Sequence, residues 1–255
     1  MILIAGPCVI EEKEILIESI EQLLESINSK NINFYFKASA VKDNRSGKDN
    51  YSGVGMEKGI ALLLDIKKEY GVKVTTDFHN EQDIYRYGSY IDLIQIPAFL
   101  AMQTGMIKAA AEIKTKVNFK KPQFMGPSEA KNILHKYNDF GGQYPMITDR
   151  GTMLGYNQTF MDPRHVPILM GGTGEIIVDT THPNKNYPGW EYNDRFLYTQ
   201  VLAKSYIVAG AKGVFVETHP NIEEAKCDGK TMYPLHNISE FIEDIYNLYK
   251  FINKE

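Results

Sequence analysis

The sequence predicts a single domain of the α/β class, a (β/α)8 TIM barrel spanning residues 1–255. Three observations carry that prediction. Eight short β-rich runs alternate with longer helical patterns, the order expected of a parallel sheet with crossover helices. A chain of 255 residues is about the size at which one such barrel is complete. Polar residues also gather at the carboxyl ends of the runs, where this fold carries its chemistry. A doubly wound open sheet is the alternative, but eight runs without a linker, repeat or low-complexity tract favour closure.

The runs fall at 2–5, 33–38, 73–77, 93–97, 117–121, 146–149, 176–180 and 213–217. The first is a buried strand rather than a secretory signal, because no basic residue precedes its short apolar stretch. Residues 12–28 place Ile15, Leu16, Ile20, Leu23, Leu24 and Ile27 at helical spacing, with Glu and Ser on the other face. Segments 56–70, 81–87, 101–113, 128–137, 193–209 and 238–252 repeat that pattern. The helix after the sixth run, near 161–168, is reduced to a single turn flanked by Pro163 and Pro167.

Composition narrows the partners. No apolar run reaches the roughly 18 residues of a membrane span, and a net charge of −4 argues against nucleic acid. Two cysteines, Cys8 and Cys227, far apart in sequence, fit a reducing, cytoplasmic setting. Each reads as a ligand or as an inert buried thiol. Of 28 basic residues only Arg45, Arg86, Arg150, Arg164 and Arg195 are arginine. Arginine holds phosphate and carboxylate through paired hydrogen bonds, so Arg45 and Arg150, both next to strand ends, carry the most information.

Two groups separate at the strand ends. Lys37, Lys42, Arg45, Lys121 and Arg150, with Asn44, Ser46 and Gln95, form a cationic cluster suited to an anionic small molecule. Cys8, His182, Glu217 and Asp228 supply a thiolate, an imidazole and two carboxylates, a donor set suited to zinc, iron, manganese or cobalt. Their spacing is no zinc-finger pattern; the closed ring makes the ends of the first, seventh and eighth strands neighbours. Cys227 reads as a bystander. Asp77 and His79 face the same mouth and suit sugar hydroxyls or a proton relay. His219 is either a supporting or a loop residue, and His135, His165 and His236 read as helix-surface or loop residues.

At these residues the chain resembles the 3-deoxy-D-manno-octulosonate-8-phosphate synthase family. The resemblance rests on Ile4-Ala-Gly-Pro-Cys-Val-Ile-Glu11, Phe36-Lys-Ala-Ser39, Lys42-Asp-Asn-Arg-Ser46 and Gln95-Ile-Pro-Ala-Phe-Leu100. It continues through Val117-Asn-Phe-Lys-Lys-Pro-Gln-Phe124, Asp149-Arg-Gly-Thr152, Asp179-Thr-Thr-His182 and Glu217-Thr-His-Pro220 with Asp228-Gly229. It implies a cytoplasmic, homotetrameric transferase that condenses phosphoenolpyruvate with arabinose 5-phosphate in lipopolysaccharide biosynthesis. Lys42, Gln95, Lys121 and Arg150 match the phosphoenolpyruvate positions, with Phe99 in the same segment. Lys37, Asn44, Arg45, Ser46 and Asp77 match those of the aldose phosphate. Cys8, His182, Glu217 and Asp228 match the ligands of the metal-dependent class, whose metal-independent counterparts carry Asn in place of Cys8. Lys42, Lys121, Arg150, His182 and Asp228 are the expected catalytic residues.

The pattern departs at Asp43 and Gly47, and in the loop 183–194, where Tyr187, Trp190 and Tyr192 replace a Gly- and Ser-rich stretch. The aldose is therefore less determined than the reaction. The rival is a heptulosonate-phosphate synthase using erythrose 4-phosphate, whose motif reads Lys-Pro-Arg-Thr-Ser instead. A non-catalytic sugar-phosphate barrel would have little need for the metal set.

Overall fold

A computed structural model describes residues 1–155, 158–172, 174–185 and 194–254. Its eight central strands are β1 (Ile2–Gly6), β2 (Asn33–Lys37), β3 (Lys73–Asp77), β4 (Leu93–Ile96), β5 (Lys116–Lys120), β6 (Met146–Asp149), β9 (Glu175–Asp179) and β10 (Gly213–His219). They pair in parallel in that order, and β1 pairs with β10 to close the ring, Ile2 lying opposite Gly213 and Gly6 opposite Glu217. Each expected run lies within two residues of a strand, and the barrel is the expected fold.

The strands alternate with period two. One set of side chains, among them Leu3, Phe36, Val74, Ile94, Val117, Ile147, Val178 and Val214, joins the large apolar core shared with the helices. The other set points into the barrel. Its lower layer is apolar, built from Ile2, Ile4, Tyr35, Leu93, Met146, Ile177 and Phe215. Nearer the carboxyl ends of the strands the interior turns polar, with Lys37, Asp77, Gln95, Lys120, Asp179 and Glu217, all buried. Each buried aliphatic or aromatic side chain contributes roughly 1.5–3 kcal/mol, so the apolar layers support a polar layer that contributes little itself.

Gly6 ends β1 against the backbone of Lys37. Its φ is +149°, and a Cβ there would lie 2.2 Å from the carbonyl oxygen of Lys37. Only glycine lets β1 approach β2 closely enough to deliver Cys8 and Lys37 to the same spot.

The outer helices are α1 (Lys13–Ile27), α2 (Met56–Tyr70), α3 (Glu81–Tyr87), α4 (Thr104–Ile113), α5 (Pro127–Asp139), α6 (His165–Met170), α7 (Asp194–Val208) and α8 (Ile238–Asn253). Three features differ from the sequence reading. Helix α4 starts at Thr104 rather than near 101, because a 3-10 turn at Ala98–Leu100 follows Pro97. Helix α6 is six residues long and accommodates Pro167 in its first turn, where backbone N–H groups have no helical partner. Between β6 and α6 the chain forms an antiparallel hairpin of β7 (Thr152–Leu154) and β8 (Gln158–Phe160) that overhangs the barrel mouth. A short strand β11 (Tyr233–Pro234) extends the sheet beyond β10. The loop carrying Tyr187, Trp190 and Tyr192 lies outside the described residues.

Candidate active site and metal centre

The floor of the mouth is organised by Glu217. One carboxylate oxygen, Oε1, accepts a hydrogen bond from Lys37 Nζ at 2.7 Å and has Lys42 Nζ at 3.6 Å. Lys37 also donates to the Cys8 carbonyl at 2.7 Å. The other oxygen, Oε2, is buried and has no hydrogen-bond partner among the described residues. Burial opposes ionisation of Glu217, but Lys37 and Lys42 outweigh it and hold the carboxyl well below its usual range. The orphaned oxygen is therefore an anion.

It faces His182, whose Nε2 lies 3.9 Å away. The His182 ring is fixed from behind by Asp179 Oδ2, 2.9 Å from Nδ1. Burial of Asp179 is likewise overcome, by His182 and Lys120, so it is ionised and Nδ1 must donate. In the neutral ring Nε2 then carries the lone pair, the tautomer a metal-ligating histidine takes when a carboxylate supports it. Asp179 Oδ1 further accepts the backbone N–H groups of Thr181 and His182, so the turn after β9 is built around it.

Asp228 completes the group. Its φ is +49°, tolerated by Asp better than by most residues. The loop that carries it is pinned by Glu11, which accepts the N–H of Lys226 at 3.0 Å, and by the closure of β10 onto β11, where Thr218 donates to the Tyr233 carbonyl. His219 is buried beside Glu11 and accepts the Asn221 N–H, a supporting place rather than a site position. His182, Glu217 and Asp228 offer ligand atoms within 4.8 Å of one another.

Cys8 falls into a second group that shares Asp228, and its third member is Cys227. The two sulfurs are 2.8 Å apart, and each lies 3.7 Å from Asp228 Oδ2. The expected bystander is thus part of the cluster. Burial pushes the Cys8 thiol well above its usual range, whereas the hydrogen bond from Cys8 lowers that of Cys227. Arg45 Nη1 also donates to the Cys227 sulfur at 2.8 Å. An ionised carboxylate with an unpaired buried oxygen, an oriented imidazole and adjacent thiols fit a borderline divalent ion.

Above this floor opens a cleft of about 370 Å³ lined by Lys42, Asn44, Arg45, Ser46, Phe99, Arg150, His182, Lys185 and Asp228, among others. A smaller pocket below it reaches Asp77, Gln95, Lys120 and Glu217. Asp77 accepts from Ser39 and from Gln95 Nε2, both at 2.6 Å. Gln95 in turn accepts from Asn118, and Asn118 from Thr148, so a hydrogen-bonded chain crosses four strands, β3 to β6. Burial raises the Asp77 carboxyl, but Lys37 and Lys42 pull it down to about 2. Lys120 Nζ lies 2.5 Å from Asp179 Oδ2 and over the face of Phe215, and burial pulls its ammonium down to about 8. Arg150 reaches the cleft with its Nη1 donating to Gln123.

Three expected site residues stand elsewhere, and so does one histidine expected at the surface. Lys121 is fully buried, and its Nζ is spent on the carbonyls of Gly151 and Met125, at 2.8 and 2.9 Å. It also has Asp149 at 3.6 Å. It follows the last residue of β5 and points out of the barrel, so Lys120 is the lysine of this pair that lines the pocket. His79 turns its Nε2 to the Val41 carbonyl at 3.1 Å and braces the loop after β2. Lys37 sits under the cleft, on Glu217. His165, expected at a surface, is buried, with Nδ1 2.9 Å from Asp149 Oδ2, which also accepts from the Tyr206 hydroxyl.

With that geometry in place, the comparisons decide the family. A model described as the DAHP synthetase I family matches residues 1–252. The chain belongs to that family. Among its curated relatives is a 2-dehydro-3-deoxyphosphooctonate aldolase of Protochlamydia amoebophila, 35% identical over all of this chain and 94% of the relative. Proteins of the same name from Bartonella bacilliformis and Francisella tularensis are 34% and 35% identical. Those alignments cover 99% and 94% of this chain and 90% and 88% of the relatives.

Lys121 ties the β5 end to the overhanging hairpin and does not touch the cleft. Lys121→Met leaves buried carbonyls and Asp149 without their cation, and chemical denaturation is expected to show a loss of about 3 kcal/mol. A variant of unchanged stability would remove this structural role.

Proposed function

We propose that the chain is a single-domain, phosphoenolpyruvate-dependent 3-deoxy-8-phosphooctulonate synthase that works with a divalent metal. The observation that carries the reading is the juxtaposition of a cationic cleft with an ionised, partly orphaned Glu217 and an oriented His182 on its floor. Full-length similarity to proteins named 2-dehydro-3-deoxyphosphooctonate aldolase supports the substrates, phosphoenolpyruvate and arabinose 5-phosphate. The exposed apolar residues Leu197, Val201 and Val208 of α7, with Ile168 and Met170 of α6, support a homo-oligomer. No helix among the described residues is long and apolar enough to cross a membrane.

The reaction forms a bond between the methylene carbon of phosphoenolpyruvate and the aldehyde carbon of the aldose. Water adds to the enol carbon, and the resulting hemiketal phosphate expels inorganic phosphate. Lys42, Lys120 and Arg150 converge where the phosphoenolpyruvate anion would lie and offset the charge it carries through the reaction. Asp77, held ionised, and Gln95 stand between that site and the floor, placed to accept and donate to sugar hydroxyls. Arg45, Ser46 and Asn44, at the outer wall, take the aldose phosphate. Cys8, His182, Glu217 and Asp228 would hold the metal, with Cys227 alongside. When bound, the ion would supply Lewis-acid polarisation of the aldehyde oxygen and orientation of water.

The deciding experiment is phosphate release from phosphoenolpyruvate with arabinose 5-phosphate, erythrose 4-phosphate or ribose 5-phosphate. Turnover is expected to be fastest with arabinose 5-phosphate; preference for erythrose 4-phosphate would move the chain to the heptulosonate reaction. Purified protein should also carry about one divalent ion per chain and lose activity in chelator, regaining it with zinc, iron, manganese or cobalt. Full activity in chelator, with no metal by elemental analysis, would refute the metal centre.

Lys120 is a cation only below its lowered transition near 8. Apparent affinity for phosphoenolpyruvate is therefore expected to weaken as pH rises through about 8 and to be flat between 6 and 7. In Lys120→Arg, which stays charged, the alkaline limb should move up; an unmoved limb assigns it to another group.

A further inference from the structure

Lys185 is the first residue after the turn His182–Asn184, and it lines the same cleft as Arg45 and Ser46. The turn is firmly held. Asn184 is buried and donates to the Thr180 carbonyl at 2.9 Å and to the Thr199 hydroxyl at 3.0 Å, and the Lys185 N–H returns to the His182 carbonyl. The backbone at Lys185 is thus fixed relative to His182 while its side chain is 53% exposed.

Its Nζ donates to Asp228 Oδ1 at 3.0 Å. Arg45 Nη1 stands 3.7 Å from the same oxygen. The carboxylate that closes the metal-ligand group is therefore shared with a lysine of the cleft wall. An ammonium and a divalent ion repel, and both need the charge of Asp228. Binding of the ion at His182, Glu217 and Asp228 must weaken the hold on Lys185. The released side chain has a four-carbon stem and lines the same cleft as Arg45 and Ser46, where an anion would be bound.

We propose that Lys185 is a specificity-determining ligand for the phosphate of the second substrate, held on Asp228 until the metal ion takes that carboxylate. The inference rests on the assignment of Arg45 and Ser46 to the aldose phosphate. It makes metal binding and phosphate binding cooperative through one side chain. The coupling has a definite sign: removing Lys185 favours the ion and disfavours the anion. A residue that merely filled space would weaken both or neither.

The test uses the full-length protein, Lys185→Ala and Lys185→Arg. Zinc affinity is read by competition with a chromophoric chelator, and inorganic phosphate binding by calorimetry, with and without zinc. Loss of an ion pair this exposed should tighten zinc in Lys185→Ala by about threefold. Loss of a charge-assisted hydrogen bond should raise the apparent KM for arabinose 5-phosphate by roughly tenfold or more, with that for phosphoenolpyruvate changed less than about twofold. Lys185→Arg should recover most of the aldose affinity. In the wild-type protein zinc should strengthen inorganic phosphate binding, and in Lys185→Ala that gain should vanish. Unchanged zinc affinity, or equal losses for the two substrates, overturns the proposal. If wild-type protein does not turn over arabinose 5-phosphate, the substrate assignment fails, whereas the zinc and inorganic phosphate measurements still decide the role of Lys185.

Discussion

Glu217 has to remain ionised inside a closed barrel, and much of the molecule is arranged to keep it so. A carboxylate moved out of water costs several kcal/mol unless it is paired and hydrogen-bonded. Here Lys37 does the pairing at 2.7 Å, with both side chains 1% exposed. Lys37 reaches it because Gly6 lets β1 and β2 close up, and its remaining hydrogen bond goes to the Cys8 carbonyl. The pair satisfies only one of the two Glu217 oxygens. A buried anion held by its neighbours on one side and left open on the other is a poor device for stability and a good one for binding a cation.

The same logic extends around the interior layer. Lys37, Lys42 and Lys120 lie among Asp77, Asp179 and Glu217, each acid within reach of a lysine or the protonated side of a histidine. The uncharged Gln95, Asn118 and Thr148 complete the circuit by hydrogen bonds. Such a layer cannot hold the barrel together, because exchanging solvated charges for buried pairs yields little net stability. The apolar layer below it and the helix-facing side chains do that, and the polar layer is carried on them.

How much of this was legible in the sequence depends on what kind of signal each feature leaves. The barrel was, because eight apolar runs alternating with helices leave a signal in every segment. So was the clustering of Lys42, Arg45, Arg150, His182, Glu217 and Asp228, since all sit at strand ends or in the loops after them. The choice between Lys120 and Lys121 needed the strand's parity. Lys120 shares the inward parity of Asn118, and counting alternation from that residue would have turned Lys121 outward. Cys227 and His165 left no such signal. Their partners, Cys8 and Asp149, are 219 and 16 residues away, and only the packed loops bring them together. The β7–β8 hairpin was hidden for a different reason: its strands are three residues each, too short for alternation to register.

The net charge of −4 says little about what the mouth attracts. The interior lysines and acids offset one another, so the field in the cleft is set by what stands above them. Among the described residues Arg45, Arg150 and Lys185 face one acid there, Asp228. With Asp228 occupied by Lys185, part of that positive charge is spent within the protein. An ion taken up by Asp228 would return it to the cleft and add its own. Two anionic substrates would then meet a site whose positive charge is greatest when the metal is in place, which orders the events without any large movement of the barrel. The acid that could hold the ion is also the one that restrains the cation beside it, and that shared carboxylate is what couples the two halves of the site.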